Sequence, residues 1–129
     1  MITMTQILHK HPPALSIRAG KLARQLIQSE GLQAEQVDIV PGAAGGPKGI
    51  GIQGLDQAIF GEFFARAPQR RTLIGSSIGS WRFASILAHG AKAGTERLGE
   101  LYTNLYFDKK MQRQEVSDIC RGMLLDLVQ

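Results

Sequence analysis

The sequence contains a single cysteine, Cys120, so neither an internal disulfide nor a cysteine cluster for a metal ion can form. No apolar run approaches the ~20 residues that a membrane-spanning helix needs. The N-terminus has no apolar segment with a small-residue cleavage site, as a secretory signal would have. These absences favour a reduced, cytoplasmic protein that uses no metal or other cofactor.

Charge is modest, and the basic side chains form no run. Lys and Arg number 15 against 11 Asp and Glu, which gives a formal charge of +4. That bias permits attraction to phosphates or to an anionic membrane surface without demanding either. The basic residues that could line a nucleic-acid surface are scattered without interleaved aromatics, which predicts a solvated face and no nucleic-acid partner: Arg18, Lys21, Arg24, Arg70, Arg71 and Arg82.

Helical and strand-like patterns alternate along the chain. Apolar spacing predicts a first helix from about Leu15 to Gly31, two short strands over 37–40 and 72–74, and later helices of which one is capped by Thr95. Each strand runs into a glycine loop that opens a helix. The strand–helix–strand order predicts an α/β protein with a parallel βαβ unit, whose ligands bind at the carboxyl ends of the strands.

The loop after the second predicted strand carries the clearest chemical signal. Residues 75–79 read GSSIG, which matches the G-x-S-x-G pattern of a nucleophile elbow between a strand and a helix. Glycines at both ends allow the sharp turn, and the helix N-terminus favours negative charge beside the hydroxyl of Ser77. Ser77 is therefore the candidate nucleophile.

The loop after the first predicted strand could stabilise the charge that such a nucleophile creates. Residues 45–49 read GGPKG, and the backbone N–H groups of Gly45 and Gly46 can approach a ligand closely. Lys48 adds positive charge, and Ile78 follows the serine, where an oxyanion hole takes its second donor. We predict an oxyanion hole from Gly45, Gly46, Lys48 and Ile78.

Two other glycine motifs compete for the same loop. A P-loop needs Gly before its lysine and Ser or Thr after it, but Pro47 and Gly49 stand there. Residues 49–54 fit G-x-G-x-x-G, the dinucleotide fingerprint, but begin inside a predicted helix. These glycines are predicted to serve helix packing.

The two loops together resemble those of the patatin-like phospholipase family of serine lipid acyl hydrolases. The likeness runs from about Val37 to Gly90 and rests on GGPKG, similar to the family's G-G-x-[K/R]-G oxyanion loop, followed by GSSIG. It implies a three-layer α/β/α fold, a Ser-Asp dyad with Ser77 as nucleophile, and a lipid or other ester substrate. It also implies transient contact with a membrane surface.

The chain departs from the family pattern in two places. Ala43 and Ala44 replace the Asp-Gly that many members carry before the paired glycines. No later Asp-Gly or Asp-Ala motif supplies the family's general base. Each aspartate of the chain is predicted to be a surface charge instead: Asp38, Asp56, Asp108, Asp118 and Asp126.

The sequence predicts only two strands against five helices, and an apolar pattern is still running at Gln129. Together with the resemblance, these features predict that residues 1–129 are the N-terminal part of a single patatin-like domain. A Ser-Asp dyad needs no histidine, so His9, His11 and His89 are predicted to be structural or solvent-facing.

Two alternatives stay open from the sequence. A non-catalytic α/β module could bind a phosphate-bearing ligand at the same glycine loops and helix N-termini. An acyltransferase would use the same nucleophile but pass the acyl group to an alcohol instead of water.

Overall fold

The structure is a computed structural model that describes residues 15–129. The chain divides into two compact units, Met1–Gln33 and Ala34–Gln129. The described part of the first unit holds one helix, α1 (Lys21–Glu30), which ends where the Gly31 N–H donates to the carbonyl oxygen of Ile27 at 2.9 Å.

The prediction that this first helix reaches back to Leu15 is wrong, whereas its end at Gly31 is confirmed. Gly20, just before Lys21, has ψ 166°, an extended conformation that precedes the first helical turn. Gly31 has φ 76°, which glycine adopts without a steric penalty and which ends the helix.

The second unit alternates helix and strand and then closes with three helices. In chain order its elements are a 3₁₀ turn (Ala34–Gln36), β1 (Ile39–Gly42), a 3₁₀ helix (Gly46–Ile52), α2 (Gln53–Asp56), a π-helix (Gln57–Phe63), a 3₁₀ turn (Phe64–Arg66), β2 (Thr72–Gly75), α3 (Ile78–His89), α4 (Ala91–Thr103) and α5 (Arg113–Val128).

The two strands pair in parallel, in a register that aligns Ile39 with Thr72 and Gly42 with Gly75. This confirms the predicted α/β class and its parallel βαβ unit. β1 starts two residues later than predicted and includes Pro41 and Gly42. Because parallel strands in register end at the same edge, the two glycine loops leave the sheet side by side.

The core of this unit lies where the last three helices meet. Ile78 of α3, Leu98 of α4, and Met123 and Leu127 of α5 form one buried cluster. Since Ile78 is the first residue of α3, this packing holds the start of that helix in place. His89, at the other end of α3, contacts the Leu127 carbonyl oxygen through Nε2 at 2.9 Å, the structural role predicted for it.

Thr95 does not cap a helix, contrary to the prediction. Gly90, with φ 82°, ends α3 and allows α4 to begin at Ala91, four residues before Thr95. The Thr95 hydroxyl donates to the carbonyl oxygen of Ala91 at 2.8 Å and accepts a hydrogen bond from Gln57 Nε2 at 2.9 Å. Thr95 therefore ties α4 to the π-helix.

Of the three glycines in the G-x-G-x-x-G pattern, Gly49 serves helix packing and the other two do not. A Cβ on Gly49 would lie 2.6 Å from Ile78 Cγ1, so Gly49 permits close contact with α3. A Cβ on Gly51 or Gly54 would meet nothing within 4 Å, contrary to the prediction.

Within residues 15–129, no helix combines the length and hydropathy required to cross a bilayer.

Candidate active site at the second strand–helix turn

Ser77 occupies the turn between β2 and α3 in a strained backbone conformation. Its φ and ψ are 52° and −126°, and it is the one non-glycine residue in 15–129 with positive φ. The Gly79 N–H donates to the Ser76 carbonyl oxygen at 3.0 Å and closes a turn across it. These angles match the first central position of a type II′ turn, which favours glycine. Such strain costs on the order of 1–3 kcal/mol and is commonly found at functional sites.

The glycines flanking Ser77 are required by close backbone contacts. A Cβ on Gly75 would lie 2.7 Å from the carbonyl carbon of Gly79, and it would overlap Ser80 still more closely. A Cβ on Gly79 would lie 2.6 Å from the carbonyl carbon of Gly42, at the end of β1. The G-x-S-x-G pattern thus lets α3 approach both strand ends, as the motif predicts.

The side chain of Ser77 is exposed and forms no capping hydrogen bond to α3. Its backbone carbonyl instead accepts the N–H groups of Ser80 and Trp81 at 2.9 and 3.4 Å. A serine at a helix N-terminus ordinarily uses its oxygen as a cap. Here the turn holds the hydroxyl outside that role and open to solvent.

Three of the four predicted oxyanion residues keep their backbone N–H groups unpaired within the described chain: Gly45, Gly46 and Ile78. The fourth, Lys48, donates its N–H to the Gly45 carbonyl oxygen at 3.3 Å, and its side chain is exposed. Lys48 is therefore placed to add positive charge at the loop and is less suited to be a backbone donor. Gly46 has φ 53°, a conformation that glycine tolerates best.

Two cavities are lined in part by residues of the GGPKG loop. The smaller, of about 220 Å³, is lined by Ser77 together with Gly46 and Ile78, so three of the predicted site residues share one wall. The larger, of about 410 Å³, is lined by Gly45, Lys48 and again Ile78, but not by Ser77. The structure thus brings Ser77, Gly46 and Ile78 together at one cavity, whereas Gly45 and Lys48 line the other.

The remaining wall of the smaller cavity comes from residues that the sequence did not connect with the site. One lies on α3, one lies on α5, and three lie at or just after the end of α4: Trp81, Cys120, Tyr102, Leu105 and Phe107. No local pattern marks them, because they meet only when α4 and α5 pack against α3. Trp81, Tyr102 and Leu105 also pack against the buried core cluster.

Asp56 and Arg82 form a buried ion pair, which corrects two predictions. Arg82 Nε and Nη2 donate to the two carboxylate oxygens of Asp56 at 2.7 and 2.5 Å. Asp56 is 2% exposed and Arg82 9% exposed, so neither belongs to the solvated surface where the sequence placed it. Either charge would be strongly destabilising if it were buried without its partner. The pair joins α2 to α3. The pair also lines the larger cavity.

The other aspartates are exposed, as predicted. Asp38 accepts a hydrogen bond from Gln69, Asp108 from the Lys110 N–H, and Asp118 from Gln114. Among the described residues, no carboxylate or imidazole lines the Ser77 cavity. Nor does any group of three His, Cys, Asp or Glu side chains in this part of the chain have an arrangement that could hold a metal ion. His9 and His11 lie outside the described residues.

No protein-family model, curated protein or solved structure matches this chain. The patatin-like resemblance therefore remains a prediction from the two loop motifs.

Proposed function

We propose that this chain carries the nucleophile and oxyanion hole of a serine-dependent acyl hydrolase acting on carboxylic esters. The observation that supports the proposal best is the backbone of Ser77. Ser77 is a non-glycine residue held at φ 52° with an unengaged hydroxyl, and it shares a cavity with Gly46 and Ile78, whose N–H groups are unpaired. Such strain is commonly found where a position has a function. The resemblance to patatin-like phospholipases suggests lipid esters as the substrate class, reached by transient contact with a membrane surface from the cytoplasm.

The proposed reaction starts with attack of Ser77 Oγ on the ester carbonyl carbon. A C–O bond forms, and the carbonyl oxygen takes on negative charge, which the N–H groups of Gly46 and Ile78, the two that share a cavity with Ser77, stabilise. Collapse of this intermediate expels the alcohol and leaves an acyl-enzyme. Water then adds to the acyl carbon, releases the carboxylic acid and restores the serine.

The proton of Ser77 needs an acceptor, which then delivers it to the departing alcohol. In the family that the sequence resembles, this group is an aspartate carboxylate. The aspartates of the described chain are engaged elsewhere or exposed, and none lines the Ser77 cavity. The proposal therefore assigns Ser77 and the oxyanion donors to this chain and leaves the aspartate unassigned.

A fluorophosphonate probe tests the assignment, because the serine oxygen displaces its fluoride and keeps the phosphonyl group. Because no carboxylate or imidazole among the described residues lines the Ser77 cavity, the reaction should be slow. After prolonged incubation, mass spectrometry of the digested protein should find the adduct on Ser77, and Ser77→Ala should abolish it. Ser76→Ala and Ser80→Ala are matched controls and should label like the wild type, since both serines are exposed near Ser77, one in the turn and one in the first turn of α3. Equal labelling of Ser77→Ala would contradict the proposal.

The same variant separates hydrolysis from the phosphate-binding alternative. If the glycine loops only bind anions, inorganic phosphate should bind wild type and Ser77→Ala equally, and no fluorophosphonate adduct should form on Ser77. Calorimetric titration with phosphate, run beside the labelling, distinguishes the two functions.

A further inference from the structure

The larger of the two cavities takes no part in the proposed reaction, because Ser77 does not line it. Its volume of about 410 Å³ lies within the roughly 300–1,000 Å³ of pockets that bind small organic molecules. Ala44, Lys48 and Ile52, which form part of its wall, are exposed, so the cavity opens to solvent. A ligand can therefore enter it without a change in the fold.

Arg82 brings an unused hydrogen-bond donor to this cavity. Its Nε and Nη2 donate to Asp56, whereas its third nitrogen, Nη1, has no hydrogen-bond partner within the described chain. No buried side-chain nitrogen or oxygen of the described residues lacks a partner, so Nη1 must be accessible. The rest of Arg82 is buried, and the cavity is the open space that it lines. Nη1 is therefore a fixed donor for a ligand in this cavity.

The charged groups of the wall leave one positive charge for a ligand. Lys48 and Arg82 are cationic and Asp56 is anionic, which gives a net charge of +1. Both carboxylate oxygens of Asp56 already accept hydrogen bonds from Arg82, so Asp56 is not free to bind a cation. Ala44 and Gly45 line the same cavity, and their backbone N–H groups are unpaired within the described chain. One singly charged acceptor, such as a carboxylate, balances this wall.

The rest of the wall is apolar and only partly covered. Leu55, Ile59 and Phe60 are half-buried, and Ile52 is 37% exposed. Phe83 is buried behind them, with its ring centroid 5.8 Å from that of Phe60. A hydrocarbon group in the cavity would remove the exposed part of these side chains from water, which favours binding. The wall therefore suits a ligand with an anionic end and an apolar body.

We propose that the larger cavity binds a carboxylate joined to a hydrocarbon group, with the carboxylate at Arg82 Nη1 and Lys48. A phosphate dianion fits this wall less well, because the net charge is only +1 and most of the lining is apolar. The inference does not rest on the proposed function, since Ser77 is not part of the site. The carboxylic acid that the proposed hydrolysis releases belongs to this class of ligand.

Calorimetric titrations with four probes test the chemistry of the site: octanoate, acetate, 1-octanol and inorganic phosphate. We expect one octanoate to bind per chain. Acetate lacks the apolar contacts and octanol lacks the charge, so each should bind at least about tenfold more weakly, and phosphate likewise. Octanol or phosphate binding as tightly as octanoate, or no binding of octanoate, would overturn the proposal.

Side-chain variants test where the carboxylate binds. Lys48→Gln should weaken octanoate about threefold and leave octanol unchanged, because only the charged probe uses the exposed ammonium group. Lys92→Gln is the matched control, since Lys92 is exposed but does not line the cavity. Arg82→Lys keeps a positive charge beside Asp56 but removes Nη1, so octanoate should bind at least about tenfold more weakly. Lys48→Gln is at an exposed position and therefore tests the site even if Arg82→Lys fails to fold. Equal octanoate affinity in Lys48→Gln and the wild type would contradict the placement.

Ser77→Ala separates this site from the proposed nucleophile. Octanoate should bind the variant and the wild type with equal affinity, because Ser77 lines the other cavity. Loss of octanoate binding in Ser77→Ala would place the carboxylate beside Ser77 and contradict the present inference alone. Absence of a fluorophosphonate adduct, with octanoate binding intact, contradicts the hydrolase assignment instead.

Discussion

The strained backbone at Ser77 leads to an unusual prediction: replacing the candidate nucleophile by glycine should stabilise the protein relative to alanine. At φ 52° and ψ −126°, a side chain costs on the order of 1–3 kcal/mol, and alanine retains that cost. Glycine removes the strain but loses about 0.5–1 kcal/mol of additional chain entropy on folding. The net expectation is a free energy of unfolding about 1 kcal/mol higher for Ser77→Gly than for Ser77→Ala, or about 3–5 °C in Tm.

Ser80 provides the matched control, because it is also an exposed serine but lies within α3. Ser80 is the third residue of α3, where glycine should be worse than alanine by up to about 1 kcal/mol, so the order should reverse at this position. Equilibrium urea denaturation of the four variants measures both differences. The strain argument is refuted if Ser77→Gly is no more stable than Ser77→Ala. Neither Ser77 variant should form the fluorophosphonate adduct.

Three further outcomes follow from the described contacts. Asp56→Asn should lower the free energy of unfolding by about 3–5 kcal/mol, because it leaves the Arg82 charge buried without a counter-charge. The control Asp118→Asn, at an exposed ion pair, should change the free energy of unfolding by less than about 0.5 kcal/mol in the same urea experiment. Gly79→Ala should lower the free energy of unfolding by at least about 1–3 kcal/mol, because its Cβ would overlap the Gly42 backbone. Gly54→Ala, with open space around it, should raise the free energy of unfolding by up to about 1 kcal/mol. Thermal unfolding shows whether the two changes have these opposite signs. The 129-residue chain should hydrolyse p-nitrophenyl butyrate poorly, because general-base assistance is worth about 10²–10⁴-fold. Robust hydrolysis that is abolished by removing one of its five aspartates would contradict that expectation.

Local pattern was enough to predict the elements that carry the candidate site. The turn at Ser77, the glycines on both sides of it and the parallel strand pair are all present in the structure. Each depends on residues close together in the chain, where backbone sterics and alternation of apolar side chains act directly. The start of α1 and the start of α4 were predicted wrongly because neighbouring glycines, Gly20 and Gly90, decided them.

Contacts between distant segments could not be predicted in the same way. Asp56 and Arg82 are 26 residues apart, and nothing near either one in the sequence distinguishes a buried partner from an exposed charge. The aromatic and apolar wall around Ser77 likewise assembles from α3, α5, the end of α4 and the loop after it. Each of its members looks like an ordinary core or surface residue until the helices pack.

The sequence by itself determined the chemistry that this chain can offer: a serine hydroxyl on a sharp turn, with glycine N–H groups beside it. Short-range sterics suffice for that, since a G-x-S-x-G turn has few conformations available. Only the tertiary structure decided which groups surround the serine, how large a cavity adjoins it and where Asp56 lies. Those properties depend on the packing of side chains from separate helices, and the free energy of such packing is shared among contacts that no single segment contains.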